Sequence, residues 1–207
     1  MTPEDFARAF SVSRETLALL TRYAALLRRW QKAQNLVARG TLDKVWERHF
    51  ADSAQLLGLA PEARRWLDLG SGAGFPGMVV ALLLKGAEGA RVDLVEANAR
   101  KCAFLDAVRR ETGAPVAVHA MRIEDAANRL EGPFDAVTAR ALAPLNELAP
   151  LIAPFLTGHT RALLPKGRDV ASELTEASRY WIIAYETFES LTDSRARILM
   201  VHSLKRR

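Results

Sequence analysis

Between residues 17 and 30 the apolar side chains Leu17, Leu20, Tyr23, Ala24, Leu27 and Trp30 recur at three- and four-residue steps. On a helix with 3.6 residues per turn that spacing gathers them into one stripe. Arg22, Arg28, Arg29 and Lys32 fall mostly off it. A second stretch, Leu42 to Leu57, places Val45, Trp46, His49, Phe50, Ser53 and Leu57 toward one face and Lys44, Glu47 and Arg48 toward the other. Residues 1–60 are therefore expected to form a helical cap. From Arg65 the pattern changes to short apolar runs alternating with helical ones, and strands are expected at 65–69, 91–96, 115–119, 134–139 and 160–165. Helices should begin near Pro76, Ala99, Ile123, Leu145 and Asp169. This alternation builds a mostly parallel sheet covered by helices, an α/β domain over 61–207 that forms one compact unit with the cap. Two further strands, 181–189 and 195–204, have no helix between them and should pair antiparallel at the sheet edge. The closing "SLKRR" reads as a solvated terminus.

Composition narrows the class. The chain has 207 residues, 49% hydrophobic and 26% charged, as in an ordinary globular protein. The longest apolar run, "GMVVALLL", stops at Lys85, far short of the roughly 18 residues that a membrane span needs. Cys102 is the single cysteine, so neither an internal disulfide nor a cysteine cluster for zinc can form, and no metal is expected. The N-terminal "MTPEDFARAF" lacks the basic-then-apolar layout of a signal peptide, and a cytoplasmic, monomeric protein is expected. A net charge of +5 and a pI near 9.7 suit a polyanionic partner, although a solvated basic surface would read the same way.

The stretch "LDLGSGAGFPG", Leu67 to Gly77, joins the first strand of the sheet to a helix and carries four glycines in two overlapping registers. From Gly72 it is GxGxxG, the dinucleotide pattern; from Gly70 it is GxGxG behind an acidic residue. Both allow a tight turn and close approach of a ligand to bare backbone. Charge separates them. Asp68, at the carboxyl end of the strand, would repel a pyrophosphate lying on the glycines and would favour the ammonium and sulfonium of S-adenosylmethionine. Glu96, ending the second strand of the sheet, fits the ribose hydroxyls of either cofactor. The reading is S-adenosylmethionine held around Asp68, Gly70, Gly72, Gly74 and Glu96. The alternative is an NAD-dependent oxidoreductase, for which no hydride-transfer acid is evident.

The substrate-side segment after the fourth strand of the sheet, "DAVTARALAPLNEL", has no Asn/Asp-Pro-Pro-aromatic turn of the kind used on exocyclic amines. Cys102 stands on an amphipathic helix near Phe104 and Leu105, as a core residue rather than the nucleophile that pyrimidine C5 methylation requires. N7 of guanine needs neither base nor nucleophile, because its in-plane lone pair carries no proton, and positioning alone can supply most of the rate. No acid or base is assigned. Arg140 and Lys166 are candidates for positioning: a guanidinium there can hold a cofactor carboxylate or donate to guanine O6 or a phosphate.

Taken with "QKAQNLV" (31–37), "VWERHFADSAQLL" (45–57), "FDAVTARALAPL" (134–145) and "LLPKGR" (163–168), the glycine stretch makes nearly the whole chain resemble the ribosomal RNA small subunit methyltransferase G family, also called glucose-inhibited division protein B. The resemblance implies a Rossmann-like methyltransferase fold with N-terminal helices. It also implies methylation of guanine N7 in the 530 loop of 16S ribosomal RNA, at guanine 527. It places cofactor contacts at Gly70, Phe75, Ile123, Glu124 and Arg140, with Glu96 at the ribose. Asn35, Arg48, His49, Asp52 and Ser53 match family positions without an attached role; His49 either pairs with Asp52 or faces the substrate. Two departures stand out: Ala139 replaces the serine of many relatives, and Met78, Val79 and Val80 stand where others carry a proline. RNA contacts are expected from Arg39, Lys44, Arg48 and His49 of the cap and from Arg140, Lys166 and Arg168 of the sheet, with the base read inside the pocket. A non-catalytic RNA-binding assembly factor remains a further alternative.

Overall fold

A computed structural model describes residues 1–207. The cap opens with α1 (Pro3–Ala9) and the 18-residue α2 (Arg14–Gln31). Thr2 and Asp5 close α1 with a reciprocal capping box, and the Ser13 hydroxyl caps α2. Leu20, Tyr23, Ala24 and Leu27 of the α2 stripe are buried. The expected continuous helix over 42–57 is instead a 3-10 turn (Arg39–Thr41), a π-helical segment (Trp46–Ala51) and α3 (Asp52–Leu59). Apolar spacing reports the buried face and is blind to the wider i→i+5 bonding of a π turn. Of the residues assigned to that face, Leu57 is only half buried, and its neighbour Leu56 is fully buried instead.

The sheet contains β1 (Arg65–Leu69), β2 (Arg91–Glu96), β3 (Val116–Ala120), β4 (Ala136–Thr138), β5 (Arg161–Lys166), β6 (Trp181–Glu189) and β7 (Arg197–Arg206). Their order is β3-β2-β1-β4-β5-β7-β6, with β1 to β5 parallel and the last two strands antiparallel. The helices between them are α4 (Gly77–Leu83), α5 (Ala99–Thr112), α6 (Ile123–Arg129), α7 (Leu145–Ile152) and α8 (Val170–Ala177). Strand alternation divides the core: Trp66, Val92, Leu94 and Ala136 face the cap, α4 and α5, while Leu67, Leu69, Val95 and Val137 face α6, α7 and α8. Cys102 is a buried core residue whose thiol donates to the Glu96 carbonyl.

β3 and β5 are shifted by one residue from the expected 115–119 and 160–165, β4 is shorter than the expected 134–139, and the last strand is shifted by two for an identifiable reason. The turn after β6 is closed by Ala196 N–H to the Asp193 carbonyl and Arg195 N–H to the Asp193 carboxylate, so β7 starts at Arg197 rather than 195. In consequence "SLKRR" is not a free tail: Ser203 to Arg206 pair with β6, and Arg207 N–H donates to the Tyr180 carbonyl. The strand order reverses between β2 and β4 on either side of β1, and crevices for ligands form at the carboxyl ends of strands at such a point.

Candidate active site

A cavity of about 730 Å³ opens at those strand ends. Its floor is the loop after β1, its walls are the segments after β4 and β5, and the cap and the β6–β7 turn close the remaining side. Of the predicted residues, Gly70, Gly72, Phe75, Arg48, His49, Arg140, Lys166 and Asp52 line it.

The glycine loop follows the Gly70 register on its exposed side. Gly70 and Gly72 take positive φ and face the cavity. Gly74, expected in the cofactor turn, is buried beneath it: a Cβ there would lie 2.7 Å from the Tyr23 hydroxyl and 2.8 Å from Met78 Cβ. Tyr23, reaching in from α2, donates its hydroxyl to the Ala73 carbonyl and so fastens the loop to the cap. Gly77 is required for another reason, since a Cβ there would sit 2.6 Å from Asp68 Oδ2.

Asp68 lies below the loop and is fully buried. Its Oδ2 accepts from Gly77 N–H at 3.1 Å, while Oδ1 has no hydrogen-bond partner. Burial pushes the carboxyl up to about 6, against the opposing pull of its hydrogen bonds and of Arg140. Glu96 folds back on the loop instead of facing the cavity: Oε2 accepts from Gly72 N–H at 2.9 Å and Oε1 from Asn98 N–H at 2.7 Å. Each oxygen keeps one lone pair for a further donor. Ile123 and Glu124 begin α6, half-buried and exposed respectively, and neither lines the cavity.

Arg140 is enclosed. One nitrogen donates to Asp52 Oδ2 at 2.9 Å and to the Arg48 carbonyl at 3.2 Å, and the other meets His49 Nδ1 at 2.9 Å. The guanidinium carbon lies 5.2 Å from the centre of the Phe75 ring, on which His49 also stacks at 4.7 Å. These contacts spend three of the five guanidinium N–H groups, leaving two for a ligand. A guanidinium only donates, so His49 Nδ1 is an acceptor and its proton sits on Nε2, directed to Thr41 Oγ1 at 2.8 Å. Burial, then Arg140 and Arg48, lower the His49 pKa to about 3. His49 therefore pairs with Arg140 and Thr41, not with Asp52. Asp52 uses its second oxygen on Gln55 and Thr192. Ser53 is structural here, donating to the His49 carbonyl at 2.6 Å.

Lys166 is not a free cation. Its side chain is 8% exposed, and Nζ donates to the Ala143 carbonyl at 3.0 Å and Glu173 Oε2 at 2.7 Å. The same Glu173 oxygen accepts from Leu145 N–H, so the pair pins both ends of the 143–145 segment. Arg39, Lys44, Arg168 and Asn35 are exposed and lie outside the cavity lining, and Arg168 is 3.8 Å from Asp169. Ala139 is buried in the core between β4 and α7. Met78, Val79 and Val80 are fully buried in the core that α4 shares with the cap and the sheet. Thr41, Thr192, Asp193 and Glu173 complete the site without having been singled out from sequence. Tyr23 sat in the apolar stripe, and the need of a buried phenol for a partner was the available signal.

A family model described as rRNA small subunit methyltransferase G matches residues 16–200. The chain belongs to this family. A ribosomal RNA small subunit methyltransferase G from Methylorubrum populi is 55% identical over 196 residues, covering 95% of this chain and 92% of the relative. Another from Rhodospirillum centenum is 55% identical over 201 residues, covering 97% and 90%. Among solved structures, the O-methyltransferase TomG from Streptomyces achromogenes in complex with SAM aligns at a TM-score of 0.57 and 14% identity over 89% of each chain. The fold is thus that of the Rossmann-like class I methyltransferases, as expected, and the protein is an rRNA methyltransferase. No helix is long and apolar enough to cross a membrane.

Proposed function

We propose that this methyltransferase transfers the methyl group of S-adenosylmethionine, the cofactor of its family, to N7 of a guanine in the 530 loop of 16S rRNA, at guanine 527. The observation that carries the choice of N7 is the state of His49. It is the one imidazole in the cavity lining, both its nitrogens are engaged, and it stays neutral, so it is not poised to take a proton from a substrate. The lining carboxylates are equally unsuited: Asp52 and Glu173 are ion-paired, and the backbone N–H of Arg195 holds Asp193 below the usual carboxylate range. A cavity without a general base matches a target atom that carries no proton.

The residues present fit the cofactor. Asp68 Oδ1 is an unpaired buried acceptor behind the glycine loop, where it favours positive charge. The two remaining N–H groups of Arg140 can hold a carboxylate bidentately, and Glu96, beside the loop though outside the cavity lining, keeps a lone pair on each oxygen for ribose hydroxyls. When bound, the cofactor supplies an electrophilic methyl group. The protein's contribution is then orientation: His49 is fixed by stacking on the buried Phe75 ring, and Arg140 is fixed in direction by Asp52 and the Arg48 carbonyl. Arg39, Lys44 and Arg168 outside the cavity supply phosphate contacts. The nicotinamide alternative finds no support, because the buried Asp68 carboxylate behind the loop would repel a pyrophosphate laid on the glycines, and Gly74, the middle glycine of its register, is packed against Tyr23 and Met78 rather than open to the cavity. Incubation with small-subunit particles and labelled S-adenosylmethionine, followed by mapping of the modified nucleotide, tests the proposal. A methyl group on any atom other than N7 of that guanine overturns it.

A further inference from the structure

We propose that Arg48 and Asp193 together read the Watson–Crick edge of the target guanine; this rests on the assignment of N7 as the methylated atom. An N7 that attacks a methyl group cannot also accept a recognition hydrogen bond. Guanine must then be identified by O6, N1–H and the 2-amino group, an ordered row of acceptor, donor, donor. The complementary row is donor, acceptor, acceptor, and a guanidinium N–H beside a carboxylate supplies it, as the edge of cytosine does.

Arg48 and Asp193 stand side by side on the cavity wall, Nη1 3.4 Å from Oδ2. They come from different elements, the cap and the β6–β7 turn, which meet at the cavity mouth. Their contact is long and both side chains are partly open, at 44% and 26%, so admitting a base between them sacrifices little. The other two lining carboxylates are committed elsewhere, Asp52 to Arg140 at 2.9 Å and Glu173 to Lys166 at 2.7 Å. Asp193 is also held in place: Oδ1 accepts from Arg195 N–H at 3.0 Å and lies 3.6 Å from the exposed Arg195 Nε, Thr192 donates to Asp52, and Leu191 N–H donates to Gln55, which leaves Oδ2 toward Arg48. The backbone hydrogen bond lowers its pKa, so the carboxylate is charged and accepts only. Adenine presents a donor to the guanidinium and an acceptor to the carboxylate, and both meetings are repulsive.

The test uses the full-length protein and small-subunit particles reconstituted with guanosine or inosine at the target position. Inosine lacks only the 2-amino group and keeps O6, N1–H and N7. Asp193→Asn preserves the acceptor for Arg195 N–H but turns a donor toward the base. The wild type should lose about 10- to 100-fold in kcat/KM on inosine. Asp193→Asn should lose a similar factor on guanosine, lose little more on inosine, and keep the wild-type Kd for S-adenosylhomocysteine, which a general structural defect would alter. Overturning results are a guanosine-to-inosine ratio in Asp193→Asn equal to that of the wild type, or undiminished activity of the variant on guanosine. Wild-type methylation at an atom other than N7 defeats the underlying assignment, whatever the variant does, and takes this proposal with it.

Discussion

His49 Nδ1 accepts a hydrogen bond from the Arg140 guanidinium at 2.9 Å, which ties the N-terminal cap to the end of β4. The histidine can serve in this way only while neutral. Arg140→Lys loses the fork that grips Asp52, His49 and a ligand at once, since an ammonium cannot reproduce its planar donors. Cofactor affinity measured by calorimetry should fall at least about tenfold, one bidentate contact's worth. Asp52→Ala should cost about 2 kcal/mol of stability by leaving Arg140 half-buried without its carboxylate. Wild-type cofactor binding by Arg140→Lys would remove Arg140 from the cofactor site.

Asp68 and His49 give opposite pH dependences. The Asp68 carboxyl is raised from 3.8 to about 6, so its contribution to stability is fully present below pH 3.8 and is lost as the pH rises through about 6. Asp68→Asn should therefore stabilise the cofactor-free protein at pH 7 to 8, by about 1 to 2 kcal/mol after allowing for the amide N–H groups left unpaired. The same substitution should weaken S-adenosylmethionine binding, because positive charge favours the ionised carboxylate. In the wild type, affinity should drop as the pH falls below about 6. His49 runs the other way: its pKa is lowered from 6.5 to about 3, so it destabilises progressively as the pH falls below 6.5. Denaturant midpoints and calorimetry from pH 4 to 8 check both, and pH-independent cofactor affinity would contradict the role given to Asp68.

The sheet was legible because its residues obey a local rule. Alternating apolar runs and helical stretches state β1 to β5 directly, and the missing helix after 189 states the antiparallel edge. The charge of Asp68 likewise chose the glycine register, because burial of a carboxylate beside a ligand has a sign that sequence displays. What was not legible depends on residues far apart in the chain. His49 and Asp52 lie three positions apart, which suggests a pair, yet both turn to Arg140. Lys166 looked like a phosphate contact because nothing near it in sequence announces that Glu173 pairs with its charge and the Ala143 carbonyl accepts from it. Thr192 and Asp193 sit in a polar turn with no periodicity to mark them.

Lys166 and Glu173 accordingly make a linked prediction. Each holds one end of the segment from Ala143 to Leu145, so Lys166→Met and Glu173→Gln should produce the same phenotype. That segment forms part of the cavity wall, with the Leu142 side chain lying over Gly70. Both variants should lose activity and cofactor affinity together. Neither should change the slope of log K for RNA against log salt, whereas Arg39→Ala or Lys44→Ala should reduce it by about 0.7 to 0.9 per phosphate contact. A reduced slope in Lys166→Met alone would restore the phosphate role.

The two faces of the glycine loop should separate binding from folding. At Gly72 an added Cβ meets only the Gly70 carbonyl at 3.8 Å, so Gly72→Ala carries mainly the strain of an alanine at φ +58°, about 1 kcal/mol. The variant should fold and lose cofactor affinity, because the methyl group stands on the cavity floor. Gly74→Ala sets its Cβ 2.8 Å from Met78 Cβ and 2.7 Å from the Tyr23 hydroxyl, inside a packed core that cannot yield cheaply. It should break the Tyr23 bond to the Ala73 carbonyl and lower the melting temperature well beyond Gly72→Ala. Chemical denaturation beside cofactor titration distinguishes the pair. A stable Gly74→Ala protein that fails only in cofactor binding would place Gly74 on the ligand side of the loop.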